Sequence, residues 1–162
     1  VPGIYAVGDV TQRIQLAHVA SAEGIVAATN AMGGDEWMDY RAVPSCIYTN
    51  PEVASVGLTE EQAIEKGHSV KVGRFQLRTL GKALAMGERE GMAKVVADTK
   101  YGEILGVHMV GPHVTDLIMQ AVLAIRNELT ADEVIASIHP HPTLTEVVQE
   151  AALDTEDRSI HK

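Results

Sequence analysis

GMAKVVADTKYGEILGVHMVG, residues 91–111, decides the fold. Two runs rich in β-branched and apolar residues, 91–98 and 103–111, flank Thr99-Lys100-Tyr101-Gly102, with the glycine late in the turn. Such runs on either side of a short glycine-bearing loop fold back on each other as an antiparallel hairpin. Residues 114–127 follow at once. They place apolar side chains at 114, 117, 118, 121, 122 and 125, the spacing of an amphipathic helix. A hairpin running into such a helix predicts an α+β domain, a small antiparallel sheet with helices on one face.

Upstream, the pattern continues. SCIYT, 45–49, reads as a strand stopped by Asn50-Pro51, and 53–57 as a second short strand. Residues 59–66 predict a short helix, with Thr59 and Gln62 as a capping box and Gly67 as the stop. Residues 69–76 alternate like a strand, and 79–87 read as a helical turn holding Leu80, Leu84 and Met86. Downstream, Thr130 caps a short helix to about residue 137. HPHPTLTE, 139–146, then opens a last helix to about residue 153, with Thr143 and Glu146 spaced as a capping box. The charged tail DTEDRSIHK is expected to fray.

The first 42 residues have a different character. VPGIYAVGDV, 1–10, reads as a strand buried on both faces in a parallel sheet, ending at Gly8-Asp9. An aspartate at the C-terminal end of such a strand stands where α/β folds bind ligands, although a plain Gly-Asp turn fits equally. After Leu16-Ala17-His18 comes an Ala-rich helix through about residue 32, VASAEGIVAATNAM, closed by Gly33-Gly34. No partner strand is visible. Residues 1–34 are therefore expected to expose apolar surface or pair with another copy. Residues 35–43 read as a linker anchored by Trp37 and Tyr40, dividing the chain into 1–42 and 43–162. The opening Val1, in mid-pattern, suggests a piece of a longer protein.

Composition narrows the function. The 162 residues carry a net charge of −9, which argues against nucleic acid as partner. Hydrophobic residues at 46% and charged residues at 22% describe a soluble globular chain. The single cysteine, Cys46, excludes an internal disulfide and a CxxC motif and reads as a small buried hydrophobe. No apolar run reaches the roughly 18 residues of a membrane span, and no signal peptide is visible.

Chemistry concentrates in 139–146. Prolines 140 and 142 stiffen the backbone around His139 and His141. A metal site would need a cluster of His and carboxylate ligands at ligand spacing, which these two rings alone do not make, so a shared metal is disfavoured. A stiffly held imidazole with a carboxylate five residues on, His141 and Glu146, suits a general base and its orienting partner. A histidine that only stabilises the turn fits the octet as well. No nucleophile or substrate site accompanies the pair, so another chain or copy would have to supply the rest.

Four stretches together, VPGIYAVGDV (1–10), QLAHVASAEG (15–24), PSCIYTNPEVASVG (44–57) and HPHPTLTE (139–146), resemble the C-terminal portion of the dihydrolipoamide dehydrogenases. These form a branch of the FAD-dependent pyridine nucleotide-disulfide oxidoreductases. Leu16-Ala17-His18, Ser21-Ala22-Glu23-Gly24 and the YTNPE stretch resemble that branch more than the glutathione or mercuric reductases. The resemblance implies that Asp9 bonds FAD hydroxyls, and that Gln15, Leu16, Ala17 and His18 bring backbone N–H groups to the flavin. It implies that residues from 43 onward form the interface domain of a homodimer. His141, oriented by Glu146, would serve the partner subunit's active site, with a cis bond to Pro142. The whole enzyme, cytoplasmic, would oxidise dihydrolipoamide and reduce NAD+. Its partner would be the lipoyl-bearing protein of a 2-oxoacid dehydrogenase or glycine cleavage complex. Pro140 departs from the alanine of many relatives. The Gly-rich FAD loop, the NAD domain and the redox cysteine pair have no counterpart here, so the chain alone is expected to be inactive and to hold FAD poorly. A non-catalytic dimerisation module, or the same domain of another disulfide reductase, remains open.

Overall fold

The computed structural model describes residues 1–161 in two compact units, Val1–Tyr40 and 41–161. The second contains a five-stranded antiparallel sheet in the order β1-β2-β5-β4-β3. The strands are β1 (Ser45–Ile47), β2 (Glu52–Gly57), β3 (Val70–Gln76), β4 (Met92–Asp98) and β5 (Ile104–Gly111). The fold is α+β, as the hairpin predicts. Asp98 closes the β4–β5 turn by accepting from the amides of Tyr101 and Gly102.

One residue splits the hydrophobic interior in two. Val96 pairs with Gly106 but Ala97 with Ile104, so Leu105 is an extra residue in β5, a β-bulge. Ile104 then faces the main core with Val107, Met109, Ala93, Val95 and Phe75. Leu105 faces the other side, in a small cluster with Val96 and Ala63. The two longer helices of this unit, α4 (Val114–Arg126) and α6 (Glu146–Asp154), cover the main-core face, α4 on β2 and β5, α6 on β3 and β4. The short α2 (Glu60–Glu65) supplies Ala63 to the opposite side. The expectation of helices on one face thus holds for the long helices, and the bulge gives α2 a small seat of its own.

Local signals place most boundaries. Thr59 with Gln62 and Thr130 with Glu133 both close full capping boxes, opening α2 and α5 (Ala131–Ala136). Residues 77–86 resolve into a 3-10 turn, Leu77–Thr79, and α3, Gly81–Met86. Three expectations need correction. The Thr143 box is only half made: its amide donates to Glu146, but its hydroxyl turns to the Pro140 carbonyl and to Thr145, and α6 starts at Glu146. Up to His161 the tail does not fray, because Ser159, Ile160 and His161 fold back on the Glu150 side chain, while Lys162 lies outside the described residues. Trp37 anchors nothing, being 86% exposed.

In the first unit the expected strand is absent. Val7 has extended backbone, yet no partner strand exists among the described residues, and an extended run becomes sheet only when its N–H and C=O groups are paired. A 3-10 turn at Gly8–Thr11 follows, then α1, Ala17–Ala31. Val1, Ile4, Val10, Ile25 and Met32 are exposed, while Val19 and Glu23 are buried.

Candidate functional site

His141 and Glu146 lie together at the start of α6. The His141 Nδ1 stands 2.9 Å from Glu146 Oε1, and the other carboxylate oxygen accepts from the Thr143 amide at 2.9 Å. The segment between them is tied down by the Thr143 hydroxyl, which donates to the Pro140 carbonyl at 2.7 Å. The His141–Pro142 bond is cis. Glu146 is sheltered, its side chain 13% exposed, whereas the imidazole is 71% exposed. Burial pushes the Glu146 carboxyl up, but the Thr143 N–H and His141 outweigh it and hold the group below its ordinary value. An ionised carboxylate only accepts, so the proton of neutral His141 sits on Nδ1 and Nε2 carries the lone pair. Gly81, opening α3, lies beside the ring: a Cβ there would stand 4.0 Å from His141 Cε1, an ordinary contact distance.

His139 takes no part. Its Nδ1 donates to the Ser137 carbonyl at 2.9 Å, a local turn bond. Among the described residues no group of three or more His, Cys, Asp or Glu side chains is placed to hold a metal ion. Nor is any described helix long and apolar enough to cross a membrane.

The other expected site residues belong to the first unit. Asp9 lies exposed on the 3-10 turn, and Gln15 and Leu16 lead into α1, which begins Ala17-His18. No side chain caps α1 at Leu16. The N-terminal end of a helix suits an electronegative group, and an exposed carboxylate suits sugar hydroxyls. The donor set therefore fits the flavin nucleotide that the resemblance implies.

Three carboxylates escaped the sequence reading. Glu23, 4% exposed, accepts from the Gly8 amide at 2.6 Å and the Tyr40 hydroxyl at 2.7 Å. Those two bonds hold it below its ordinary value. They also fix the turn that carries Asp9 against α1. Gly8 has φ +75, and a Cβ there would lie 3.3 Å from that of Ala20. Glu52 accepts from the Thr115 amide at 3.0 Å and hydroxyl at 2.7 Å, capping α4 from a neighbouring strand. Glu150 is 3% exposed on α6. A glutamate flanked by small and apolar residues in a helical stretch is the one signal that marks Glu23 and Glu150; Glu52 has none, since its partner is distant in sequence.

Comparison with known proteins matches these features. Residues 43–152 match the family described as pyridine nucleotide-disulphide oxidoreductase, dimerisation domain. The dihydrolipoyl dehydrogenase of Bacillus subtilis is 53% identical over 159 residues, covering 98% of this chain and 34% of that protein. That of Chlamydia muridarum is 52% identical over 161 residues, covering 99% and 35%. The crystal structure of LpdA from Mycobacterium tuberculosis superposes with a TM-score of 0.85 at 30% identity, over 92% of this chain and 33% of that one. The chain thus spans about a third of the length of these curated relatives. With the sheet, the covering helices and residues 43–152 all matched, the chain belongs to the pyridine nucleotide-disulphide oxidoreductases and contains their dimerisation domain.

Proposed function

We propose that this chain is the C-terminal portion of a dihydrolipoyl dehydrogenase, and that His141 is its acid/base. The observation that supports the reading most is the His141–Glu146 contact, with Nδ1 engaged and the ring otherwise exposed. Residues 1–42 are read as the end of the FAD-binding domain and its linker, and 43–162 as the interface domain of a homodimer. Asp9 and Gln15, Leu16, Ala17 and His18 are the groups that would hold FAD. Bound FAD, with a redox disulfide, would supply electron transfer from dihydrolipoamide to NAD+. The residues of this chain do the proton work. His141 Nε2 accepts the proton of the dihydrolipoamide thiol as that thiol becomes a thiolate nucleophile, and Glu146 stabilises the resulting imidazolium. An imidazole so exposed suits a site on the partner subunit, so the chain by itself is inactive. The enzyme works in the cytoplasm on the lipoyl-bearing protein of a 2-oxoacid dehydrogenase or glycine cleavage complex.

The test is His141→Ala in the full-length protein. Dihydrolipoamide oxidation is expected to fall about 10²- to 10⁴-fold with the flavin still bound. Turnover like that of the unmodified enzyme would overturn the proposal.

A further inference from the structure

α6 carries a second imidazole–carboxylate pair, one turn beyond the first. Glu146 and Glu150 are spaced i, i+4, so they lie on one face of the helix. Glu150 accepts from Ser159 Oγ at 2.7 Å, the Ile160 amide at 2.9 Å, the His161 amide at 3.4 Å and His161 Nδ1 at 2.6 Å. A carboxylate withdrawn from water needs such partners, because stranding it without them is strongly destabilising. Apolar burial does not hold this segment in place, because Ile160 is 72% exposed. The carboxylate is the anchor. Further along, α6 is fastened to β3: Asp154 accepts from the Arg74 amide at 2.8 Å, and Lys71 pairs with Glu156. A turn of the helix that carried Glu150 to water would also swing Glu146, whose two oxygens are committed to His141 and Thr143.

We propose that His161 is a positioning residue for the His141–Glu146 pair, acting through Glu150: residues 159–161 strap the buried carboxylate and so fix the rotation of α6. The inference rests on the acid/base reading of His141 and deepens it. His161 touches no reacting atom. It sets the orientation of the helix that presents the carboxylate partner of the base.

The experiment compares His161→Ala, His161→Asn and His141→Ala in the full-length protein. Asparagine keeps an N–H donor where Nδ1 stands. His161→Ala is expected to lower kcat about ten- to a hundredfold, with KM moved by less than about twofold. His161→Asn is expected to restore most of kcat. In the 162-residue chain itself, the low-field proton resonance of His141 Nδ1–H is expected to persist with His161→Asn and to be lost with His161→Ala. Unchanged kcat in His161→Ala, an unchanged His141 resonance, or a His161→Asn variant as impaired as the alanine would each overturn the inference. Should His161→Ala fail to fold, Ser159→Ala replaces it: a weakened His141 resonance supports the strap and an unaltered one sinks it. His141→Ala separates the two claims. Full turnover there overturns the acid/base reading, whereas loss there without loss in His161→Ala overturns the strap alone.

Discussion

A carboxylate that accepts one bond from a backbone amide and one from an imidazole has little freedom left to rotate. Glu146 is in that position, and the outcome is a fixed tautomer for His141 rather than a strong ion pair. Glu146→Gln keeps the shape but loses the charge that stabilises an imidazolium; in the full-length protein it is expected to lower turnover at least about tenfold, read by steady-state kinetics. The same residues respond to acid. Glu146 and Glu150 both lie below the ordinary glutamate value of 4.5 in the folded chain, burial opposing and hydrogen bonds prevailing. The unfolded chain therefore binds more protons as the pH falls below that value. The stability these groups contribute is complete above it and is lost as the pH falls through their folded values. Glu150→Gln removes one such group, so unfolding free energy in that acid range is expected to depend less steeply on pH, measured by urea titrations at several pH values.

At the scale of elements, the seat of α6 depends on a strand residue without a side chain. A Cβ on Gly73 would lie 1.9 Å from the Ala151 carbonyl oxygen and 2.6 Å from the Thr155 nitrogen. Gly73→Ala must lift the helix from β3, an overpacking cost of about 1–3 kcal/mol, visible as a lower urea midpoint with unchanged slope. Helix starts were legible where their chemistry is local. Thr59 and Thr130 sit three residues from their partners, and both boxes form as the spacing predicts. At α4 the signal is not local. His113 stands at the N-cap but its side chain makes no capping bond, and Glu52 supplies the cap from β2. Glu52→Ala is expected to cost about 1–2 kcal/mol by chemical denaturation. The Thr143 motif was half legible: its spacing is that of a box, but Glu146 already serves His141, and the hydroxyl turns to Pro140.

In the whole molecule, the hairpin of β4 and β5 with α4 was enough to give the fold class, because alternation and helical spacing are properties of neighbouring residues. Strand order was not legible, since nothing in β2 says that it pairs with β5 rather than β3. The 1–10 run shows the converse: its apolar composition describes a strand, yet without neighbours to bond it remains extended chain. The sheet order also has a kinetic side. β3, β4 and β5 are neighbours in sequence and in space, while β2 must reach across them to the far edge of β5. Pairings between distant segments close slowly, because the intervening chain must first lose its freedom. Glu52 rides on β2, opposite Gly111, so the first turn of α4 receives its acceptor only when that late pairing is made. During refolding, the amide of Thr115 is expected to gain protection from solvent exchange after those of β4 and β5, so that the start of one helix records the closing of the sheet.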